Sequence, residues 1–270
     1  MSSPTPHIVR RGDGPALIVV HGYGVDHRMM IEVDDAFADQ PWQRLYLDLP
    51  GFGGTKPLPA PGGLPEFADW LDTAVDALVG ESLFAIIGHS MGGLLAANVV
   101  QRRLGQRLGV ALLAPPVLPD QDERTLPDAD VVRDNPQLLA SLDDDDRSAY
   151  EPASVVRTQE NWERFRRAAL PGIRAVDPDA TQRLDERYHL DGCVTEFLED
   201  FAAHVLIVTG KHDAVVGYQD QWALSRRLPR CTYAALERAG HNVHLDQPRV
   251  VNALLAAWAA AAWSEAFDSP

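Results

Sequence analysis

Only two cysteines, Cys193 and Cys231, occur in 270 residues. They lie far apart and without ligand-type spacing, which excludes a disulfide framework and a cysteine-built zinc site and fits a reducing cytoplasm. Basic residues are scarce as well: 24 Lys and Arg against 39 Asp and Glu leave a formal net charge of −15. That balance excludes nucleic acid as a partner, because phosphate binding needs clustered cations, and it disfavours stable association with an anionic membrane. The acidity is read as solubility, with a slight preference for neutral or cationic small molecules. No apolar run reaches the roughly 20 residues of a membrane span; the Ala-rich stretch 253–263 is too short. The first eleven residues hold no apolar segment before a small-residue cleavage site, so a cytoplasmic, unanchored protein is expected.

What is present is an ordinary folded composition, 46% hydrophobic and 23% charged, far from the signature of disorder. A chain of 270 residues sits near the size at which single cores stop growing, which predicts one core with an appendage. Five short apolar runs, 16–21, 44–49, 83–88, 110–114 and 204–209, read as buried parallel strands, each closed by Gly, Pro or Asp. A sixth strand is expected at 231–236, and a polar edge strand at 6–11 before the Gly12-Asp13-Gly14-Pro15 turn. Helix-length segments at 64–78 and 91–104 lie between strands. A last helix is expected over 247–267, opened by Asp246 and Pro248, with Val250, Leu254, Trp258 and Ala261 on its buried face.

The strand-helix rhythm breaks between Pro115 and Phe201. Helical spacing of Trp162, Phe165 and Ala169 predicts that 117–200 is an inserted, mainly helical lid, leaving 1–116 and 201–270 as the core domain. The run Asp143-Asp144-Asp145-Asp146 reads as a solvated loop or helix end, since the spacing of a calcium loop is absent.

The chemistry is concentrated at strand ends. The strand 83–88 runs into Gly88-His89-Ser90-Met91-Gly92-Gly93 with helix-forming residues directly after. A strand-to-helix turn this tight tolerates only small flanking residues and lifts the serine oxygen to a helix N-terminus, the arrangement of a nucleophile elbow. A serine hydroxyl needs a base. Of nine histidines, His241 follows a predicted strand and Gly240 and precedes the last helix; His244 is its competitor. An acid must hold the imidazole tautomer, and Asp213, after the strand 204–209, has that address, with Asp120 as rival. Charge on the carbonyl oxygen calls for two N–H donors, assigned to Met91 and to Tyr23 in the Gly22-Tyr23-Gly24 turn. Gly22, Gly24, His89 and His244 are expected to border the substrate; His89 is also expected, with His21 and His212, to support the loops, and His244 to line the site or bond a backbone group.

Taken in order, His21-Gly-Tyr-Gly24, Asp48-Leu-Pro-Gly-Phe-Gly53, Gly88-His-Ser-Met-Gly-Gly93, Gly210-Lys-His-Asp213 and Gly240-His-Asn-Val-His244 make the chain similar to the α/β-hydrolase superfamily over nearly its whole length outside the lid. The resemblance implies an α/β fold with a mostly parallel sheet flanked by helices and a helical lid. It implies a serine hydrolase of the esterase-like branch, working on Ser90, Asp213 and His241 through an acyl-enzyme without metal or organic cofactor. Ser90 sets it apart from members with an aspartate nucleophile, and Asn242 departs from the aromatic residue that carbon-carbon bond hydrolases commonly carry there. The expected substrate is a small to medium, mostly apolar carboxylic ester. The alternatives are lactone or carbon-carbon cleavage on the same residues and, from another class, a ligand-binding sensor that retains the fold.

Overall fold

In the computed structural model, which describes residues 3–103, 105–118, 120–198 and 201–264, seven strands form a single sheet. In chain order the first half holds β1 (Ile8–Arg11), β2 (Ala16–Val20), α1 (His27–Ile31), β3 (Gln43–Leu47), α2 (Leu64–Val79), β4 (Phe84–His89), α3 (Met91–Arg102) and β5 (Arg107–Leu113). The segment between β5 and β6 carries α4 (Pro136–Ser141), α5 (Asp144–Tyr150), α6 (Gln159–Ala168), α7 (Leu170–Ala175), α8 (Pro178–Glu186) and α9 (Val194–Phe197). The chain then returns through β6 (His204–Gly210), α10 (Gln219–Ser225), β7 (Cys231–Leu236), α11 (Val243–Asp246) and α12 (Pro248–Trp263). The expected helix ends at Leu104 and Phe267 lie outside the described residues.

The strand order is β1-β3-β2-β4-β5-β6-β7, with β1 antiparallel to β3 and every other pair parallel. Burial on both faces explains why the strands read as continuous apolar runs. Along β2, Ile18 and Val20 join one core layer with Leu45, Ile86, Val110 and α2 and α3. Leu17 and Val19 join the other, with Tyr46, Ile87, Ala111, Val208 and α12. Register brings the strand ends level: Val20 pairs with Gly88 and His89 with Leu113, so the loops after β2, β4 and β5 leave the same edge of the sheet. In parallel α/β sheets that carboxyl edge is where ligands bind.

The final helix differs from its expected face. Val251, Leu255, Trp258 and Ala262 are buried, while Val250 is 42% exposed. Doubled residues, Val250-Val251 and Leu254-Leu255, let two helical registers share Trp258, and only the packing against the sheet selects between them. Nor does Asp246 cap this helix: the N-cap is Gln247, and Asp246 closes α11.

Between β5 and β6 a third cluster forms around Tyr150, Trp162, Phe165 and Leu170, resting on Met29 of α1 and Leu245 of α11. The acidic run lies at a helix start: Asp143 accepts the N–H of Asp146 at 2.8 Å, and Asp144, Asp145 and Asp146 occupy the first turn of α5, where the positive end of the peptide dipoles favours them. Among the described residues no helix is long and apolar enough to cross a membrane.

Leu255, 0% exposed, packs between α12 and the sheet. Leu255→Ala should lower the unfolding free energy by about 2–5 kcal/mol in urea titrations, whereas Val250→Ala should change it by less than about 0.5 kcal/mol.

Candidate active site

Ser90 sits between β4 and α3 with φ 52° and ψ −122°, a left-handed conformation that side-chain-bearing residues avoid. Such strain costs about 1–3 kcal/mol and persists only where the surroundings enforce it. Here the Ser90 N–H donates to Leu113 O at 2.9 Å, and the Ser90 carbonyl accepts from Gly93 and Leu94 at 2.8 and 3.2 Å. The flanking glycines answer a need for space: a Cβ on Gly88 would lie 2.2 Å from Gly92 O, and one on Gly92 2.3 Å from His21 O. The loop after β2 therefore presses directly on the elbow. Gly22 belongs to the same contact, since its Cβ would lie 3.1 Å from that of Ser90. Met91 opens α3, so its N–H is one of the first-turn donors that the helix itself cannot satisfy.

The residues expected to join Ser90 converge on it. His241 Nε2 lies 2.9 Å from Ser90 Oγ, and His241 Nδ1 lies 2.9 Å from Asp213 Oδ2. An ionised carboxylate only accepts, so Nδ1–H donates to Asp213 and Nε2 is left to accept the serine hydroxyl. Asp213 is fully buried, and its second oxygen takes the N–H groups of Val215 and Val216 at 2.9 and 3.0 Å, which fixes the carboxylate plane. The rival, Asp120, instead caps a short turn by accepting the Asp122 N–H at 3.0 Å.

Four further histidines, His21, His212, His89 and His244, lie in the loops around the serine and histidine turns and outside the cavity wall. His21 accepts the Leu49 N–H at Nε2 (2.9 Å) and donates from Nδ1 to Gly22 O (2.7 Å), a neutral ring whose pKa burial lowers. His212 supports its loop through its backbone N–H, bonded to Ala239 O at 3.0 Å. His89 and His244, expected to touch substrate, are 3% and 0% exposed and lie outside the cavity wall. His89 backs His241 and His244 in turn packs on His89, with ring centroids 5.1 and 4.9 Å apart. His89 Nε2 donates to the His241 carbonyl at 3.1 Å. Burial holds both rings neutral, lowering His89 well below the usual imidazole range and His244 to about 4. Among the described residues neither ring nitrogen of His244 has a hydrogen bond of good geometry, the Met29 backbone giving the charged form only weak support.

One group has the donor set of a metal site. Donor atoms of His7, His27 and Asp48 lie within 4.8 Å of one another. Their contacts are already complete as hydrogen bonds: His7 Nδ1 and His27 Nδ1 reach the two Asp48 oxygens at 2.7 and 2.8 Å, and the N–H groups of Gly54 and His27 fill the remaining positions at 2.8 Å each. The knot ties the loop after β3 to α1 and to His7.

Ser90 and His241 open into a cavity of about 700 Å³. Tyr23, Val215 and Val216 line it from the core, and Asp120, Arg124, Asp185, Tyr188 and His189 from the segment between β5 and β6. The Tyr23 hydroxyl donates to Asp185 Oδ2 at 3.1 Å, so the loop after β2 is latched to α8 across the cavity. Arg124 donates to Leu118 O and Val215 O at 3.0 and 3.2 Å, and burial lowers its pKa. Gly22 and Gly24, expected to border substrate, are not in the wall; Gly24 turns the loop with φ 75°. Sequence reasoning missed Arg124, Asp185, Tyr188 and His189, which no motif or periodicity marks.

Residues 17–254 match the alpha/beta hydrolase family. The chain belongs to that family. Among curated proteins it is 29% identical over 262 residues to the 2-succinyl-6-hydroxy-2,4-cyclohexadiene-1-carboxylate synthase of Escherichia coli O9:H4 (strain HS), covering 90% of this chain and 92% of that one. It is 31% identical over 111 residues to the pimeloyl-[acyl-carrier protein] methyl ester esterase of Shewanella sp. (strain MR-7), a match spanning 41% of this chain and 39% of that protein. Among solved structures, an alpha/beta superfamily hydrolase from Oenococcus oeni PSU-1 superposes with a TM-score of 0.87 at 24% identity, over 96% of both chains. In this alpha/beta hydrolase the carboxyl edge of the sheet thus carries a Ser, a His and an Asp in one chain of contacts, with the His in the middle.

His244 carries a pH signature. Its folded pKa, about 4, lies below the ordinary 6.5, so the unfolded chain takes the proton first and stability drops as pH falls from 6.5 toward 4. His244→Phe removes that dependence. Relative to wild type, its unfolding free energy should improve by about 2 kcal/mol between pH 8 and pH 5 in denaturant titrations.

Proposed function

We propose that this alpha/beta hydrolase is a serine hydrolase that cleaves carboxylic esters through an acyl-enzyme. The observation that carries the reading is the continuous chain of contacts from Ser90 Oγ through His241 to Asp213, 2.9 Å at each step. His241 Nε2 takes the hydroxyl proton as Ser90 Oγ attacks the carbonyl carbon, and Asp213 steadies the imidazolium that forms. The tetrahedral oxyanion is held by the N–H groups of Met91 and Tyr23. Collapse breaks the bond to the alcohol, which leaves with the proton from His241; water then repeats the sequence on the acyl-enzyme and releases the acid. No step calls on a metal or organic cofactor.

The segment 117–200 acts as a lid in this reading, supported by its supply of Asp120, Arg124, Asp185, Tyr188 and His189 to the cavity wall. Those residues add polar partners to a lining that remains mostly apolar, so a mostly apolar ester carrying one polar group fits it. The named activity of one relative, methyl ester cleavage, is the same acyl chemistry. The synthase name of the other keeps carbon-carbon chemistry as the second reading, for which the polar residues in the wall are the favouring observation.

Labelling with a fluorophosphonate probe should modify Ser90 and vanish in Ser90→Ala; a wild-type protein that neither labels nor turns over any member of a panel of p-nitrophenyl esters and lactones would sink the assignment. Asp213→Asn should lower kcat by about 10²–10⁴-fold with KM little changed, because the amide reverses the hydrogen bond that sets the His241 tautomer.

A further inference from the structure

The loop that carries His241 is gripped from outside the sheet. Four hydrogen bonds join residues 242–246 to the segment 153–164: Asn242 Nδ2 to Ala153 O at 3.1 Å, Asn161 Nδ2 to Leu245 O at 3.3 Å and to Asp246 Oδ1 at 2.8 Å, and Arg164 Nε to Leu245 O at 2.8 Å. Asp246 is the junction. Its other oxygen accepts the N–H of Gly240, the residue before His241, at 2.8 Å. Asn161 is itself oriented, since its Oδ1 accepts the Tyr150 hydroxyl at 3.0 Å and so leaves its amide nitrogen facing Asp246. Gly240 is pressed by the same segment, a Cβ there lying 2.9 Å from Val155.

A carboxylate is a costly choice for this position. Asp246 is 8% exposed, and burial pushes its carboxyl up to about 7 against the pull of the Gly240 and Asn161 donors and of Arg164, with Asp213 adding to the rise. Nor does the helix that follows need it, because α12 takes its N-cap from Gln247. What only an acceptor on both oxygens achieves is a rigid strut from α6 to the peptide next to His241.

We infer that Asp246 is a positioning residue: with Asn161 it couples the lid helix α6 to the histidine, so that the lid sets where the proton carrier stands relative to Ser90. The inference rests on the proposed roles of Ser90, His241 and Asp213. Contacts of 2.9 Å on both sides of the imidazole leave little tolerance, and a misplacement of about 1 Å can cost about 10²-fold in rate.

The test is a double-mutant cycle on Asp246→Ala and Asn161→Ala, read by the rate of fluorophosphonate labelling and by kcat and KM on p-nitrophenyl acetate, at a temperature where circular dichroism shows each variant folded. Each single change should slow labelling and kcat by at least about tenfold with KM moving less than about twofold. The double variant should be no slower than Asp246→Ala, because both act through one strut. Unchanged rates in folded protein, or effects that simply multiply, overturn the coupling. If Asp246→Ala does not fold, Asn161→Ala severs only the α6 side and must by itself slow labelling. Amide hydrogen exchange over 240–246 reads the strut without chemistry: it should quicken in Asn161→Ala, and unchanged exchange would reject the inference. A wild-type protein that does not label, with exchange behaving as expected, counts against the proposed function and not against the strut.

Discussion

At the end of β4 three stretches of backbone approach more closely than side chains allow, and the site is built around that crowding. The Gly88 and Gly92 backbones nearly touch, the His21 carbonyl closes on Gly92, and Gly22 packs against Ser90. Ser90, with φ 52°, is the residue left projecting from this contact. Its strain is sustained by its neighbours, through the bonds from Leu113, Gly93 and Leu94 and through a parallel sheet whose strand ends are held level. The elbow and the loop that carries the second proposed N–H donor are therefore one unit, and neither can shift without the other.

Around this unit the fold buries polar groups that do not help stability. His89 and His244 are kept neutral behind His241, and Asp246 is kept in a place that opposes its charge. Apolar burial on both faces of the sheet is what offsets them, at roughly 25 cal/mol per Å² removed from water. These placements cluster around His241, with His89 at the end of β4 and His244 and Asp246 in α11, which is where local rules are expected to yield to function.

Legibility in the sequence followed the range of the physics involved. The strands at 16–20, 84–89, 204–210 and 231–236 were readable because burial on both faces leaves only apolar side chains in a run. Ser90, Asp213 and His241 were readable because each stands where a strand stops and the backbone turns through glycine or an acid-led loop. By contrast the roles of His89 and His244 were not. A histidine beside a glycine-hinged turn has the same local sequence whether its ring faces a ligand or packs behind another ring, and the difference lies in residues some 150 positions away. The same holds for Asp246, whose position before Pro248 has the pattern of a helix cap until Gly240 is found beside it.

The amino-acid sequence by itself determined the parallel sheet, the strained serine turn and the order in which Ser90, Asp213 and His241 arrive, because these depend on burial period and on the conformational freedom of a few glycines, all properties of neighbouring residues. Tertiary structure alone decided which face of α12 is buried, which charged groups of the segment between β5 and β6 border the cavity, and how α6 reaches the loop that carries His241. Those depend on pairs such as Asn161 with Asp246, or Tyr23 with Asp185, whose partners are distant in the chain and leave no periodic mark on it.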